Sequence, residues 1–296
     1  MTLKNRLQKI SRLALLCFAS IAAQAGDLPL WELEGTNNRF ILFGSIHTLR
    51  PSDYPLPATF ERVYQNADVL LMELDMDELN VTAAVQLMET LGVDPAGRSL
   101  RQQIGAARYN AIAGRAAALD IDMTLINNKE AWYGALIVSQ IRLMQMSFDT
   151  AWGIETRYTA KAIGDSKPID GLETVAEQFA AMDSMSVDTQ AEWLLESLDD
   201  EAAATIEMEL MVAAWRSGDQ TELETAMLHS MNNMPELYQN LVVQRNARWA
   251  QQIIELDRNN RNKSYLIIVG CMHLVGKDSV QELLKPAGIT YRQLSE

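Results

Sequence analysis

Three runs in this chain have the near-continuous apolar character of strands covered on both faces, and they lie at its two ends. Arg39-Phe40-Ile41-Leu42-Phe43 and Asp68-Val69-Leu70-Leu71-Met72-Glu73-Leu74 stand near the start, and Ser264-Tyr265-Leu266-Ile267-Ile268-Val269 near the end. Between the first two, Ala58 to Ala67 reads as a short helix opened by a Pro-rich loop, which makes a β-α-β unit. Leu30 to Leu33 alternates like a strand, Val280 to Leu284 reads as a helix, and Ile289-Thr290-Tyr291-Arg292 as a last strand. Short strands are also expected around Ile121–Ile126 and at Pro168-Ile169-Asp170. The middle is different. From Leu172 to Val269 Gly218 and Pro235 are the sole helix breakers. Ala191, Leu194, Leu195 and Leu198 recur at helical spacing, as do Tyr238, Leu241, Val242, Trp249 and Ile253 after Pro235-Glu236. The expectation is an α/β (α+β-like) fold: a central sheet built from N- and C-terminal segments, with a large helical insertion as a cap.

The first 25 residues have the layout of a secretory signal peptide. Lys4, Arg6, Lys9 and Arg12 precede the apolar stretch Leu13 to Ala23, and Ala23-Gln24-Ala25 is an A-x-A cleavage site. The run is short for a membrane span. The mature domain is therefore expected over 26–296, periplasmic or secreted, with no integral membrane span after processing. Losing the leader removes four cations and no anions, so the formal charge moves from −14 to −18. Such an acidic chain argues against nucleic acid as a partner, since phosphate neutralisation needs clustered Lys and Arg. Cys17 leaves with the leader, and Cys271 alone makes no internal disulfide.

Three histidines occur, His47, His229 and His273. Phe40-Ile41-Leu42-Phe43-Gly44-Ser45-Ile46-His47 repeats as Leu266-Ile267-Ile268-Val269-Gly270-Cys271-Met272-His273: a strand, Gly, two residues, His. A Gly at a strand end allows a sharp turn or a close approach. The His that follows belongs at the carboxyl edge of the sheet, where open α/β sheets place ligands. Glu73 ends an apolar run, a costly position for a carboxylate unless it is paired or at that edge. A strand parallel to the His47 strand would bring Glu73 to His47. Histidine and carboxylate donors together suit Zn, Mn, Co or Fe. Arg245 lies within the apolar stripe of its helix and needs a carboxylate or an anionic ligand. Glu155 and Glu173 each follow a Gly at a helix start, where a carboxylate also serves the macrodipole. His229 reads as a surface or packed histidine. A zincin His-Glu-x-x-His, a Gly-x-Ser-x-Gly elbow and a Walker loop are all absent.

Leu30-Trp31-Glu32, the two Gly-x-x-His segments, Leu70-Leu71-Met72-Glu73, Asn128-Lys129-Glu130-Ala131-Trp132, Gly153-Ile154-Glu155, Gly171-Leu172-Glu173-Thr174 with Gln178, and Arg245-Asn246 together resemble the TraB/GumN (TraB/PrgY/GumN–Tiki) family. The resemblance runs in order along nearly all of the mature chain. Its wider set includes Tiki metalloproteases, erythromycin esterases and haem-binding ChaN proteins, and it implies that fold. The Tiki members imply a metal-dependent peptidase with His47, His273 and Glu73 at its heart, holding divalent Mn, Co or Zn. Glu155 stands where the family often has Gly-x-Asp, and Lys129-Glu130-Ala131-Trp132 where it often has Lys-Pro-Trp. The expected function is a metal-dependent hydrolase of a peptide or small molecule. His47, Glu73, Glu155, Arg245 and His273 are its catalytic set, and Glu73 and Glu155 share the roles of ligand and base in an order left open. The alternatives are a metal-free hydrolase of the esterase type and a non-catalytic haem or peptide-signal binder.

Overall fold

A computed structural model describes residues 27–231 and 233–296, so the expected leader lies outside the described residues. Six strands form one sheet among them: β1 (Asp27–Glu34), β2 (Arg39–Ser45), β3 (Val69–Met72), β4 (Ile169–Gly171), β5 (Ser264–Gly270) and β6 (Thr290–Ser295). Their order is β4-β3-β5-β2-β1-β6. The first four run parallel, while β1 is antiparallel to both β2 and β6. The sheet is thus stitched from both chain ends, with β5 between β3 and β2.

The helices are α1 (Ala58–Gln65), α2 (Val81–Leu91), α3 (Leu100–Ile104), α4 (Ala106–Ala118), α5 (Ala131–Gln145), α6 (Ile154–Asp165) and α7 (Val175–Asp183). They continue with α8 (Val187–Glu196), α9 (Glu201–Ser217), α10 (Gln220–Leu228), α11 (Pro235–Tyr238), α12 (Gln244–Asn259) and α13 (Val280–Leu284). β2 and β5 are buried along nearly their whole length, as their unbroken apolar runs require. Phe60 and Tyr64 of α1, Tyr158 of α6, Trp215 of α9 and Trp249 of α12 cover the sheet. A separate apolar cluster joins α3, α4, α5 and α8 through residues such as Leu100, Ile112, Val138 and Leu194. That cluster is the helical cap. Among the described residues no helix is long and apolar enough to cross a membrane.

Two local expectations give way. The segment Ile121–Ile126 makes a 3-10 turn over Met123–Leu125, because the Asp122 carboxylate accepts the Thr124 backbone N–H at 2.8 Å and holds a turn. The helix expected from Pro235 onward contains a π turn over Gln239–Val243 between α11 and α12. π turns insert an extra residue and often mark functional sites. Here the turn lies two residues before Arg245.

The register carries a detail that sequence equivalence hides. Phe40 pairs with Tyr265 and Ser45 with Gly270, so the two Gly-x-x-His segments are offset by one residue. Since side chains alternate across a strand, Gly44 and Gly270 face opposite sides of the sheet. A methyl on Gly44 would strike the Cys271 sulfur at 2.8 Å, whereas one on Gly270 would meet the edge side chains described next.

Candidate functional site

The carboxyl ends of four parallel strands deliver the titratable groups to one edge. Glu73 is the first residue after β3 and Glu173 the second after β4, while His47 follows β2 by two residues and His273 follows β5 by three. Glu155 stands in the first turn of α6, and α12 contributes Arg245 and Asn246.

Arg245 is the hub, and it is only 5% exposed. Its Nε donates to Glu173 Oε1 at 3.0 Å, and its Nη2 donates to Glu173 Oε1 and Glu73 Oε2, each at 2.6 Å. Its Nη1 donates to the Leu241 carbonyl at 3.1 Å and faces His273 Nε2 at 3.1 Å. A guanidinium has five N–H donors, and these five contacts, two of them to Glu173 Oε1, use them all. The indole of Trp249 lies under it, 4.7 Å from guanidinium carbon to ring centroid. Arg248 reaches Glu173 Oε2 at 3.5 Å from the rim. Burial pushes the Glu73 carboxyl up, but Arg245, the two histidines and the Gly270 N–H at 2.8 Å together hold it down to about 2.

The tautomer of His273 follows from its neighbours. Asn246 Nδ2 donates to the carbonyls of Asp278 at 2.8 Å and His273 at 3.2 Å, which fixes the amide with its oxygen toward the ring. His273 Nδ1 stands 2.6 Å from that oxygen and so carries the proton. Nε2 is then the acceptor of Arg245. Burial drives the imidazole down to about 3, so it is neutral. Its ring centroid is 4.5 Å from that of Trp249. Both nitrogens are engaged, and the residue is 1% exposed.

His47 is the opposite case, with its side chain 58% exposed. Nδ1 lies 2.9 Å from Glu155 Oε1, an oxygen that also accepts from the Ser45 hydroxyl. The nearby Glu155 carboxylate raises the imidazole to about 9 against the opposing effect of desolvation. Nε2 points into the space above Gly270. A methyl on Gly270 would lie 3.1 Å from His47 Nε2, 3.3 Å from Glu73 Oε1 and 3.6 Å from His273 Cδ2. The missing side chain therefore leaves a gap on which the three residues converge. Glu155 Oε2 is buried and has no hydrogen-bond partner among the described residues.

These contacts decide how the expected metal trio fits. His273 Nε2 and Glu73 Oε2 already serve the Arg245 guanidinium, which leaves His47 Nε2 and Glu73 Oε1 facing the gap. Among the described residues, no three His, Cys, Asp or Glu side chains gather as an ion would require. The donor set does not fit a metal held by His47, Glu73 and His273 together. A haem with two axial histidines meets the same obstacle, since one imidazole has no free nitrogen.

A profile of the TraB/PrgY/gumN family matches residues 29–293. The chain belongs to this family. It is 21% identical over 249 residues to "Uncharacterized protein YbaP" of Escherichia coli (strain K12), covering 84% of this chain and 89% of the relative. The protein of the same name in Shigella flexneri is similar to the same extent. No solved structure matches it. Within this TraB/PrgY/gumN chain, all five expected site residues reach the same sheet edge, with Glu173 and Asn246 added. Asn246 is wholly buried, one step from Arg245, in line with Val242, Trp249 and Ile253 at helical spacing. That spacing is the signal that could have found it. Asp75 turns away to cap the backbone N–H of Glu78 at 3.4 Å. His229 is exposed outside the site. Cys271 is buried, with its thiol pushed up to about 12 by burial, which leaves no thiolate for nucleophilic attack.

Proposed function

We propose that the protein is a hydrolase whose reacting water lies in the gap above Gly270, activated by His47. The observation that carries this is the one free imidazole nitrogen at the sheet edge: His47 Nε2, aimed into a gap that no side chain fills. Glu155 holds the proton of Nδ1 and so sets the tautomer and the ring orientation, the geometry a general base requires. Neutral His47 takes a proton from water as the oxygen bonds to a substrate carbonyl carbon, and returns it to the leaving amine or alcohol. Glu155 stabilises the imidazolium between those steps. The unpartnered Glu155 Oε2 is an acceptor for the water's second hydrogen or for a substrate N–H. Arg245 has no free donor to offer an oxyanion, so it acts as a positioning residue that fixes Glu73. Because His47 must be neutral to act and Glu155 keeps it protonated to higher pH, the rate should climb as pH rises above neutrality.

Peptide bonds are the first substrates to try, given the resemblance to Tiki proteases, and esters the second. No step is routed through a metal, because His273 Nε2 and Glu73 Oε2 are engaged by Arg245 and Glu73 Oε1 by the Gly270 N–H. The leader supports a periplasmic or secreted location, which cell fractionation checks. The test of the chemistry is a peptide and ester library digested with chelator-treated protein and read by mass spectrometry. Cleavage that survives EDTA and disappears in His47→Ala is the expected result. Cleavage retained by His47→Ala refutes the role of His47, and cleavage abolished by EDTA transfers the chemistry to a metal.

A further inference from the structure

We infer that Trp152, Tyr54 and Arg157 form a binding subsite beside His47 for the terminal residue of a peptide or an N-acyl amino acid, with an aromatic side chain on Trp152 and the adjoining carboxylate on Arg157. The two loops that deliver His47 and Glu155 also build this subsite. Tyr54 stands seven residues after His47, and Trp152 three before Glu155. The loops are zipped together. Leu49 and Asp149 exchange backbone hydrogen bonds at 3.3 and 3.1 Å, and the Ile154 N–H donates to the Ile46 carbonyl at 3.2 Å. A methyl on Gly153 would overlap the His47 carbonyl at 2.0 Å, so the residue after Trp152 is pressed against the histidine loop. The Tyr54 hydroxyl donates to the Trp152 carbonyl at 2.6 Å, and the two ring centroids are 5.7 Å apart. The indole is thus held in place and still 40% exposed. A fixed aromatic face left open to water beside a reacting group suits a flat apolar group of a ligand.

Charge defines the rest of that ligand. Arg157 lies over the Tyr54 ring, its guanidinium carbon 5.1 Å from the centroid. It is exposed, and among the described residues its side chain makes no ion pair or hydrogen bond. Arg50, four residues before Tyr54, is by contrast taken up by Asp53 and Glu209. A guanidinium stacked on a ring keeps its N–H fork free at the edge, the geometry that grips a carboxylate. Burial pushes the Tyr54 hydroxyl up, Arg157 pulls it down, and Asp53 and Glu155 add to the rise. Those two carboxylates are near enough to disfavour a doubly charged phosphate, while one carboxylate matches the one free cation. An amino acid carries a side chain and a carboxylate on a single carbon, and its amide N–H is left for the unpartnered Glu155 Oε2. To call this ligand a substrate rests on the hydrolase reading, whereas its binding does not. In hydrolysis the water oxygen joins the acyl carbon, the C–N bond breaks, and the proton goes to the nitrogen of the released amino acid.

The probes are N-acetyl-L-phenylalanine, its amide and N-acetyl-L-alanine, titrated by calorimetry into the wild type, Arg157→Gln and Trp152→Ala. Both substituted residues are exposed, so the variants should keep the wild-type fold, which circular dichroism checks. The wild type is expected to bind the phenylalanine acid at least about tenfold more tightly than the amide or the alanine compound. Arg157→Gln should bind the acid no better than the amide, and Trp152→Ala should hold the phenylalanine and alanine compounds alike. Equal binding of acid and amide by the wild type, an acid preference that survives in Arg157→Gln, or no binding of the acid at millimolar concentration each overturn the subsite. Chromatography of the same mixtures for free phenylalanine keeps the two readings apart. Binding with these preferences but no release leaves the subsite standing and counts against the hydrolase. Release without a preference for the acid counts against the subsite alone.

Discussion

The tautomer assigned to His273 makes a sharp prediction for Asn246→Asp. The substitution keeps the shape of the side chain and exchanges one NH₂ for an oxygen. That NH₂ is what bonds the carbonyls of Asp278 at 2.8 Å and His273 at 3.2 Å. In the variant an oxygen faces both carbonyls, so two donors' worth of bonding becomes repulsion at a position with 0% exposure. Leaving a buried polar group unpaired costs about 1–3 kcal/mol, so two carbonyls give roughly 4 kcal/mol of destabilisation. For a chain of this size that is a drop in melting temperature of about 7 °C. The loss should shrink on acidification relative to wild type at the same pH, because a protonated carboxyl again donates to one carbonyl. Calorimetry or urea unfolding at pH 5 and pH 8 reads both effects. Imidazole ¹⁵N shifts add a direct check, made practical by having three histidines in the sequence. Wild-type His273 should carry its proton on Nδ1 and stay neutral down to pH 5, given that burial drives it to about 3. An Nε2–H signal, or a variant as stable as wild type at pH 8, refutes the orientation of the amide and with it the hydrogen-bond order around Arg245.

Gly270→Ala should fold with a melting temperature within a few degrees of wild type, because its φ of −50° and ψ of 133° suit any residue. The methyl would fill the gap 3.1 Å from His47 Nε2 and displace the reacting water, so hydrolysis should fall by at least a hundredfold; unchanged turnover would place the reaction elsewhere. In the cap, burial pushes the Glu130 carboxyl up from 4.5 to about 7, with Asp183 beside it adding to the effect. The folded state then holds that proton more tightly than the unfolded chain, so the protein loses stability as pH rises from 4.5 through 7 and regains it on acidification. The full shift corresponds to about 3 kcal/mol, reduced to about 1–2 kcal/mol for a partly solvated group. Glu130→Gln should therefore be more stable than wild type at pH 8 and equal to it at pH 4 in urea unfolding. A difference independent of pH would sink that account.

The strands that build the site edge were legible because burial on both faces leaves a continuous apolar run, as at Phe40, Val69 and Leu266. Arg245 was legible for a related reason: a cation inside an apolar stripe must find an opposite charge. Which carboxylates it would find was not legible. Glu73 and Glu173 come from different strands, and only the order β4-β3-β5 sets them side by side. Glu173 also had a sufficient local explanation, a helix start after a glycine, which concealed its second role. The 3-10 turn at Met123 was hidden because an apolar and polar alternation is equally compatible with a turn when an Asp can cap it. Asn246 carries no charge to demand a partner, so its burial is a fact of helix phase that a single polar letter does not announce.

The repeated Gly-x-x-His shows why motif equivalence does not imply equal chemistry. Had the two segments paired in register, Gly44 would face Gly270 and the two histidines would leave the sheet on one side as near copies. The one-residue offset breaks that symmetry. One histidine is drawn beneath Trp249 and saturated by Asn246 and Arg245, while the other stays at the mouth with a nitrogen free. The saturated half is then a rigid wall for the open half: Arg245 and the Gly270 N–H fix Glu73, which sets the far side of the gap that His47 faces. It follows that loss of activity alone cannot sort these residues, since removing a wall and removing a base both abolish turnover. Their pH profiles separate them. A base variant loses the pH dependence of the residual rate, because the titrating group is gone. A wall variant such as Asn246→Asp keeps the same rise above neutrality at a lower level, because His47 and Glu155 still titrate as a pair. If Asn246→Asp shifts or flattens that profile as His47→Ala does, the division of labour between the two histidines is wrong.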